Sequence, residues 1–209
     1  MSPGATMERV YRELKARAMR GTFAPGERLD PALLARDLGA SATPVRDALH
    51  RLAGERLIES RHQEGFRQPI LTEADLRDLY EWASALLLLA LAAPVPAGEP
   101  AVPEPLAVMG GNADYPTALA HLFRTIGWLS ANRELRFAIA NLVERCHGFR
   151  FAEERVDQGC GGAIAAMEKD LRSGRRSALR GKIARFHARR IALAGRVIVE
   201  LRPRDPPLG

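Results

Sequence analysis

Between Ser41 and Leu52 the apolar residues Val45, Ala48, Leu49 and Leu52 recur at i, i+3, i+4 and i+7, the spacing of one buried helical stripe. The opposite face carries Arg46, Asp47, His50 and Arg51, which are costly to bury. Thr43 is placed to cap this helix and Pro44 to occupy its first position, where no N–H donor is needed. Upstream, Pro31 to Leu38 reads as a second short helix with Leu33, Leu34 and Leu38 inward and Asp30 as its N-cap. Gly39 follows, where a left-handed stop is wanted, so the pair forms a helix-turn-helix across Gly39-Ala40-Ser41-Ala42.

The flanks extend that unit. Thr6 to Arg20 reads as a first helix with Val10, Tyr11, Leu14 and Ala18 on one side, ended by the turn Ala24-Pro25-Gly26. Leu57 to Arg61 and Phe66 to Ile70 are short extended runs around His62-Gln63-Glu64-Gly65, which predicts a β-hairpin, a wing beside the helix-turn-helix. Such an order of elements points to duplex DNA, with the second helix of the pair in the major groove.

Beyond Ile70 the pattern turns wholly helical. Thr72 and Asp75 form a capping box, and Leu76, Leu79, Tyr80, Ala83 and Leu87 make the inner stripe of a long helix, apolar all round past Leu86. Five prolines between Pro94 and Pro105, then Gly110-Gly111, predict an irregular loop over 94–114. Helices are expected over Thr117 to Ser130, Glu134 to Val156, Ala163 to Ser173 and Ser177 to Leu201. The expected fold is therefore mainly α: a winged helix-turn-helix over 1–70 and an all-helical bundle over 71–209.

Composition narrows the partners. The 209 residues carry a formal charge of +6, which favours an anionic partner. Between Leu171 and Val199 lie Arg172, Arg175, Arg176, Arg180, Lys182, Arg185, Arg189, Arg190 and Arg196 with no acid, a solvated basic face partly neutralised by Glu144, Glu153 and Glu154 or else a second surface for the DNA backbone or an acidic partner. Cys146 and Cys160 have no metal or redox spacing and read as reduced, buried thiols. The apolar run Trp82 to Val95 is too short to span a bilayer, and the N-terminus lacks the apolar core of a signal peptide. A cytoplasmic protein is expected. No nucleophile with a patterned histidine and acid occurs, and no phosphate-binding glycine loop, so no enzyme is expected.

The segments Gly21-Thr22-Phe23-Ala24-Pro25-Gly26-Glu27-Arg28-Leu29, Leu34-Ala35-Arg36-Asp37-Leu38-Gly39, Thr43-Pro44-Val45-Arg46-Asp47-Ala48-Leu49 and Gly54-Glu55-Arg56-Leu57-Ile58 together resemble the winged-helix domain of GntR-family bacterial transcription regulators. The resemblance implies a homodimer on a palindromic operator, with Arg46 contacting a base or a phosphate. Thr43, His50, Arg61, His62, Gln63, Gly65 and Arg67 complete the candidate DNA-binding set. Ala42 stands where many relatives have an arginine and Ala32 where some do, which should weaken the salt-dependent part of binding or alter the operator.

The opening Leu71-Thr72-Glu73-Ala74-Asp75-Leu76, with Asn132 and the break Leu171-Arg172-Ser173-Gly174, resembles the helical sensing (FCD) domain of the FadR-like branch. That resemblance implies a small-molecule effector and, in many members, a divalent metal. The corresponding metal-ligand positions hold Leu119, Phe123, Ile164 and Phe186, so no metal or other cofactor is expected. His121, His147 and His187 share no ligand spacing. Arginine and glutamate positions of the branch become Ala83 and Leu87. The expected pocket, lined by Ala83, Leu119, Phe123, Ile164 and His187, would take an uncharged or hydrophobic effector or be filled by its own side chains. Together these features predict a dimeric, effector-controlled repressor, with a ligand-blind dimeric DNA-binding module as the alternative.

Overall fold

The computed structural model describes residues 3–92 and 113–201. It divides into two compact units, Met1–Leu71 and Thr72–Gly209. The proline-rich loop expected over 94–114 lies almost wholly outside the described residues.

In the first unit α1 (Pro3–Met19) packs against α3 (Ala42–Gly54), with α2 (Pro31–Asp37) between them in sequence. Val10, Leu14, Val45, Ala48, Leu49 and Leu52 are all buried in one core, as their spacing requires. Asp30 caps α2 as expected, its carboxylate accepting from the Ala32 and Leu33 amides at 2.7 and 3.1 Å. Leu33, however, is 57 % exposed, and Ala35 takes the inward place with Leu38. A seven-residue helix has room for one narrow apolar stripe, and the stripe falls on 34, 35 and 38.

The wing is a three-stranded antiparallel sheet in the order β1 (Arg28–Leu29), β3 (Gly65–Arg67), β2 (Glu59–Arg61). Strand β1, which no alternation betrays in two residues, pairs Arg28 with Arg67 and Leu29 with Phe66. Gly26 extends the pairing by donating to the Gln68 carbonyl at 2.9 Å with φ +77. A side chain in that left-handed backbone is strained. Gly26→Ala is expected to lower the unfolding free energy by about 1 kcal/mol, read as a shifted urea midpoint.

The second unit is helical throughout its described residues: α4 (Glu73–Ala92), α5 (Tyr115–Trp128), α6 (Arg133–Cys146), α7 (Arg150–Val156), α8 (Cys160–Arg172) and α9 (Arg176–Leu201). Helix α4 opens with the expected capping box. The Asp75 amide donates to Thr72 Oγ1 at 3.1 Å, and the Thr72 amide donates to Asp75 Oδ2 at 2.9 Å. Helix α9 packs along α4 and also touches α7 and α8, so it is the spine of the bundle. Its basic residues bind the far end of α4. Arg176 donates to the Leu91 carbonyl at 3.1 Å and Arg180 to the Leu88 carbonyl at 2.8 Å. Cations there satisfy the last carbonyls and suit the negative end of the helix dipole.

The single helix expected over Glu134 to Val156 is two, broken at His147-Gly148-Phe149. Glycine weakens a helix interior, and the break lets Phe149 turn inward against Tyr80, with ring centroids 6.0 Å apart. Helix α8 also begins earlier than expected, at Cys160, taking Gly161 and Gly162 into its first turn. Cys146 and Cys160 are free and buried, and burial pushes the Cys146 thiol up to about 12.

Candidate nucleic-acid interface and the core of the helical unit

Helix α3 presents Thr43, Arg46, Asp47 and His50 as one exposed face. The helix begins at Ala42, with Ser41 in N-cap geometry and no side-chain cap bond. Thr43 therefore lies inside the first turn instead of capping it, and its hydroxyl is free to face a partner. Arg46 has no ion pair among the described residues, so a groove contact would not first have to break one. His50 is set edge-on to Phe66 of β3, with centroids 4.8 Å apart, which ties the exposed face of α3 to the wing.

Arg51, expected on the same face, turns away. It lies over the Tyr11 ring at 3.6 Å and pairs with Glu8 at 3.1 Å, so it holds α1 to α3. Tyr11, Lys15 and Glu55 close the same cluster, Tyr11 Oη donating to Glu55 at 2.6 Å and Lys15 at 2.9 Å from it.

At the wing, Arg61, His62, Gln63 and Gly65 are all exposed. Gln63 and Gly65 adopt φ +65 and +79, the tight geometry that projects the turn. Arg61 pairs with Glu59 at 3.1 Å and lies 3.8 Å from Glu64, while Arg67 is half-buried and 3.9 Å from Glu64. The wing thus partly neutralises its own charge. The structure adds Arg28, exposed and directly across the sheet from Arg67. Only the strand pairing reveals it, because two residues carry no period.

In the helical unit, Ala83, Leu119, Phe123, Ile164 and His187 are all buried. Phe123 and His187 stack at 5.6 Å with 28° between their planes. The positions where the family's metal ligands would fall are Leu119, Phe123, Ile164 and Phe186, and side chains without lone pairs do not fit a divalent ion.

Beside this apolar packing lies a polar network that periodicity did not foretell. Glu153, buried on α7, accepts from Tyr80 Oη at 2.8 Å and from Tyr115 Oη at 2.7 Å. Arg190, buried on α9, lies 3.3 Å from Glu153, donates to Tyr115 Oη at 3.0 Å and to Asp157 Oδ2 at 2.7 Å. Asp157 is also gripped by Arg189 at 2.7 and 2.8 Å. Its carboxyl is held well below the usual range by the hydrogen bond from Arg189, then by Arg190, against a burial effect of opposite sign. Burial, reinforced by Glu153, pushes both tyrosine hydroxyls far up, so they stay protonated donors. Burial alone would lower the Arg190 guanidinium, but Tyr115 and Glu153 outweigh it and hold it above its ordinary value. Four helices are thereby joined through one carboxylate pair.

A cleft of about 320 Å³ opens between α8 and α9. Ala163, Ala166, Met167 and Phe186 give it apolar walls, and Lys182, Arg185, Arg189 and Asp157 are among its polar lining. None of the five expected pocket residues lines it.

A helix-turn-helix followed by a small sheet defines the first unit as a winged helix. Residues 6–67 match the model of the bacterial regulatory proteins, gntR family, so the first unit is similar to the winged helices that model describes. The uncharacterized HTH-type transcriptional regulator YdhC of Bacillus subtilis is 35 % identical over 71 residues, covering 34 % of this chain and 32 % of that protein. The HTH-type transcriptional repressor GlaR of Escherichia coli is 37 % identical over 71 residues, with the same shares of the two chains. The matched segment is thus about a third of the length of these curated relatives. Over 91 % of this chain and 97 % of the other, the fold is similar to that of a candidate GntR regulator from Rhodococcus sp. RHA1, with a TM-score of 0.68 and 17 % identity. No helix among the described residues is long and apolar enough to cross a membrane.

Proposed function

We propose that the chain is a sequence-specific transcriptional regulator, a homodimer that binds a palindromic duplex operator and represses transcription in the cytoplasm. The observation that carries the reading is the exposed face of α3, with Arg46 uncommitted, in a unit that matches the gntR family. In this reading Arg46 and His50 enter the major groove, Thr43 approaches a phosphate at the start of α3, and Arg61, His62, Gln63, Gly65 and Arg67 lie along the flanking backbone, joined by Arg28. Because Arg61 is held by two glutamates, its backbone contact contributes less than the groove contact of Arg46.

The test is selection of bound sites from a random duplex library, followed by gel-shift titration. A palindromic consensus is expected. Arg46→Ala is expected to weaken operator binding by about 1–3 kcal/mol, and Arg51→Ala to act through stability instead. Unchanged affinity in the Arg46 variant removes that residue from the reading set.

The helical unit is read as a sensor of the FadR-like branch, on the strength of its opening capping box and the similar fold of a GntR-type structure. A ligand-blind module is the second reading, favoured by one observation: the positions of the expected pocket are occupied by packed side chains such as the stacked Phe123 and His187.

A further inference from the structure

The cleft between α8 and α9 has a charge pattern that selects a ligand. Three cations, Lys182, Arg185 and Arg189, rise along α9 at spacings of three and four residues, so they share one face. Two of them are already committed. Lys182 pairs with Asp170 at 2.7 Å and donates to the Ala166 carbonyl at 3.0 Å, while Arg189 holds Asp157 with two bonds. Arg185 has no ion pair among the described residues. Its guanidinium lies back over Gly181, where an added Cβ would stand 3.3 Å from Nη1. The fourth cation, Arg190, sits at the base and is consumed by Asp157, Glu153 and Tyr115. The site therefore offers one uncommitted positive charge, above walls made by Ala163, Ala166, Met167 and Phe186.

We propose that this cleft is a receptor for a small amphiphilic monocarboxylate, its head forked by Arg185 and its hydrocarbon body laid between α8 and Phe186. A guanidinium presents two parallel donors that match a carboxylate, which an alcohol cannot replace. A doubly charged head would need a second free cation, and Lys182 and Arg189 are not free. The volume suits a body of metabolite size and excludes a bulky cofactor. A polar anion without a hydrocarbon body leaves the apolar walls wet, and an uncharged effector, expected from the sequence, leaves Arg185 unmatched.

The proposal bears on the sensor reading of this unit, but its binding step needs no DNA. Titration calorimetry on the full chain with hexanoate, 1-hexanol and acetate tests it. Hexanoate is expected to bind with one site per chain, at least tenfold more tightly than either of the others. Arg185→Gln, a change at an exposed residue, is expected to weaken hexanoate at least tenfold. Ala163→Leu should weaken it through the wall, and Arg196→Gln, elsewhere on α9, should change nothing. Equal binding of hexanol or of acetate overturns the proposal, as does an Arg185→Gln variant that keeps full affinity. A failure of the DNA reading would appear in the gel shift alone and leave these titrations as they are.

Discussion

Glu153→Ala is expected to lower the unfolding free energy of the helical unit by about 3–5 kcal/mol. Removal leaves the buried Arg190 guanidinium without one of its two carboxylates, and it leaves two tyrosine hydroxyls with no acceptor at Glu153. Uncompensated burial of a cation costs far more than the net worth of the pair that shielded it. A urea titration followed by circular dichroism reads the shift of midpoint. Tyr80→Phe removes only one hydrogen bond to the same carboxylate and is expected to cost about 1 kcal/mol. A Glu153→Ala variant no weaker than Tyr80→Phe would mean that Arg190 relaxes onto Asp157 without penalty.

That network marks the boundary of what the sequence made legible. In the first unit nearly everything followed from local signals. The i, i+3, i+4, i+7 stripe of α3, the Asp30 cap and the turn glycines each act within a few residues, and each is found in place. The errors there were also local: Leu33 points outward, and Ser41 displaces Thr43 from the cap position. Arg51 is a different case. Its position on α3 suggested the open face, but an arginine stem is long enough to reach back to Tyr11 and Glu8 across 40 residues of chain.

In the helical unit the informative contacts are long-range. Tyr80, Tyr115, Glu153, Asp157 and Arg190 come from four helices and meet only after packing, so no window of sequence contains them. Arg190 looked like one member of a basic run, and the run as a whole looked like a solvated face. Folding divides it: Arg190 is core, Arg176 and Arg180 cap α4, Lys182 and Arg189 are paired, and Arg185 is left for the cleft. Charge counting cannot make that division, because it depends on which acids lie opposite.

The second large effect expected is a loss of stability on mild acidification that traces to His187. The ring is buried against Phe123, and its Nδ1–H donates to the Ile183 carbonyl at 2.9 Å. Burial lowers its pKa to about 4, partly offset by the Ile183 hydrogen bond and reinforced by Arg150 and Arg190 nearby. The unfolded chain takes up a proton on this residue near pH 6.5, and the folded chain does not until about pH 4. Between those values the unfolded state binds more protons, so stability is full above about pH 6.5 and falls as the pH drops toward 4. The gap corresponds to a loss on the order of 3 kcal/mol. His147, also lowered by burial, adds a contribution of the same sign, so the wild-type slope alone does not isolate His187. His187→Phe does, because it keeps the stacked ring and removes the titration. Urea midpoints measured from pH 7.5 to 4.5 should fall less steeply in this variant than in the wild type. The loss attributed to Asp157 begins lower, near and below the ordinary carboxylate range, and remains in the variant. Parallel slopes in the two proteins would mean that His187 takes up its proton as readily in the fold as in the unfolded chain.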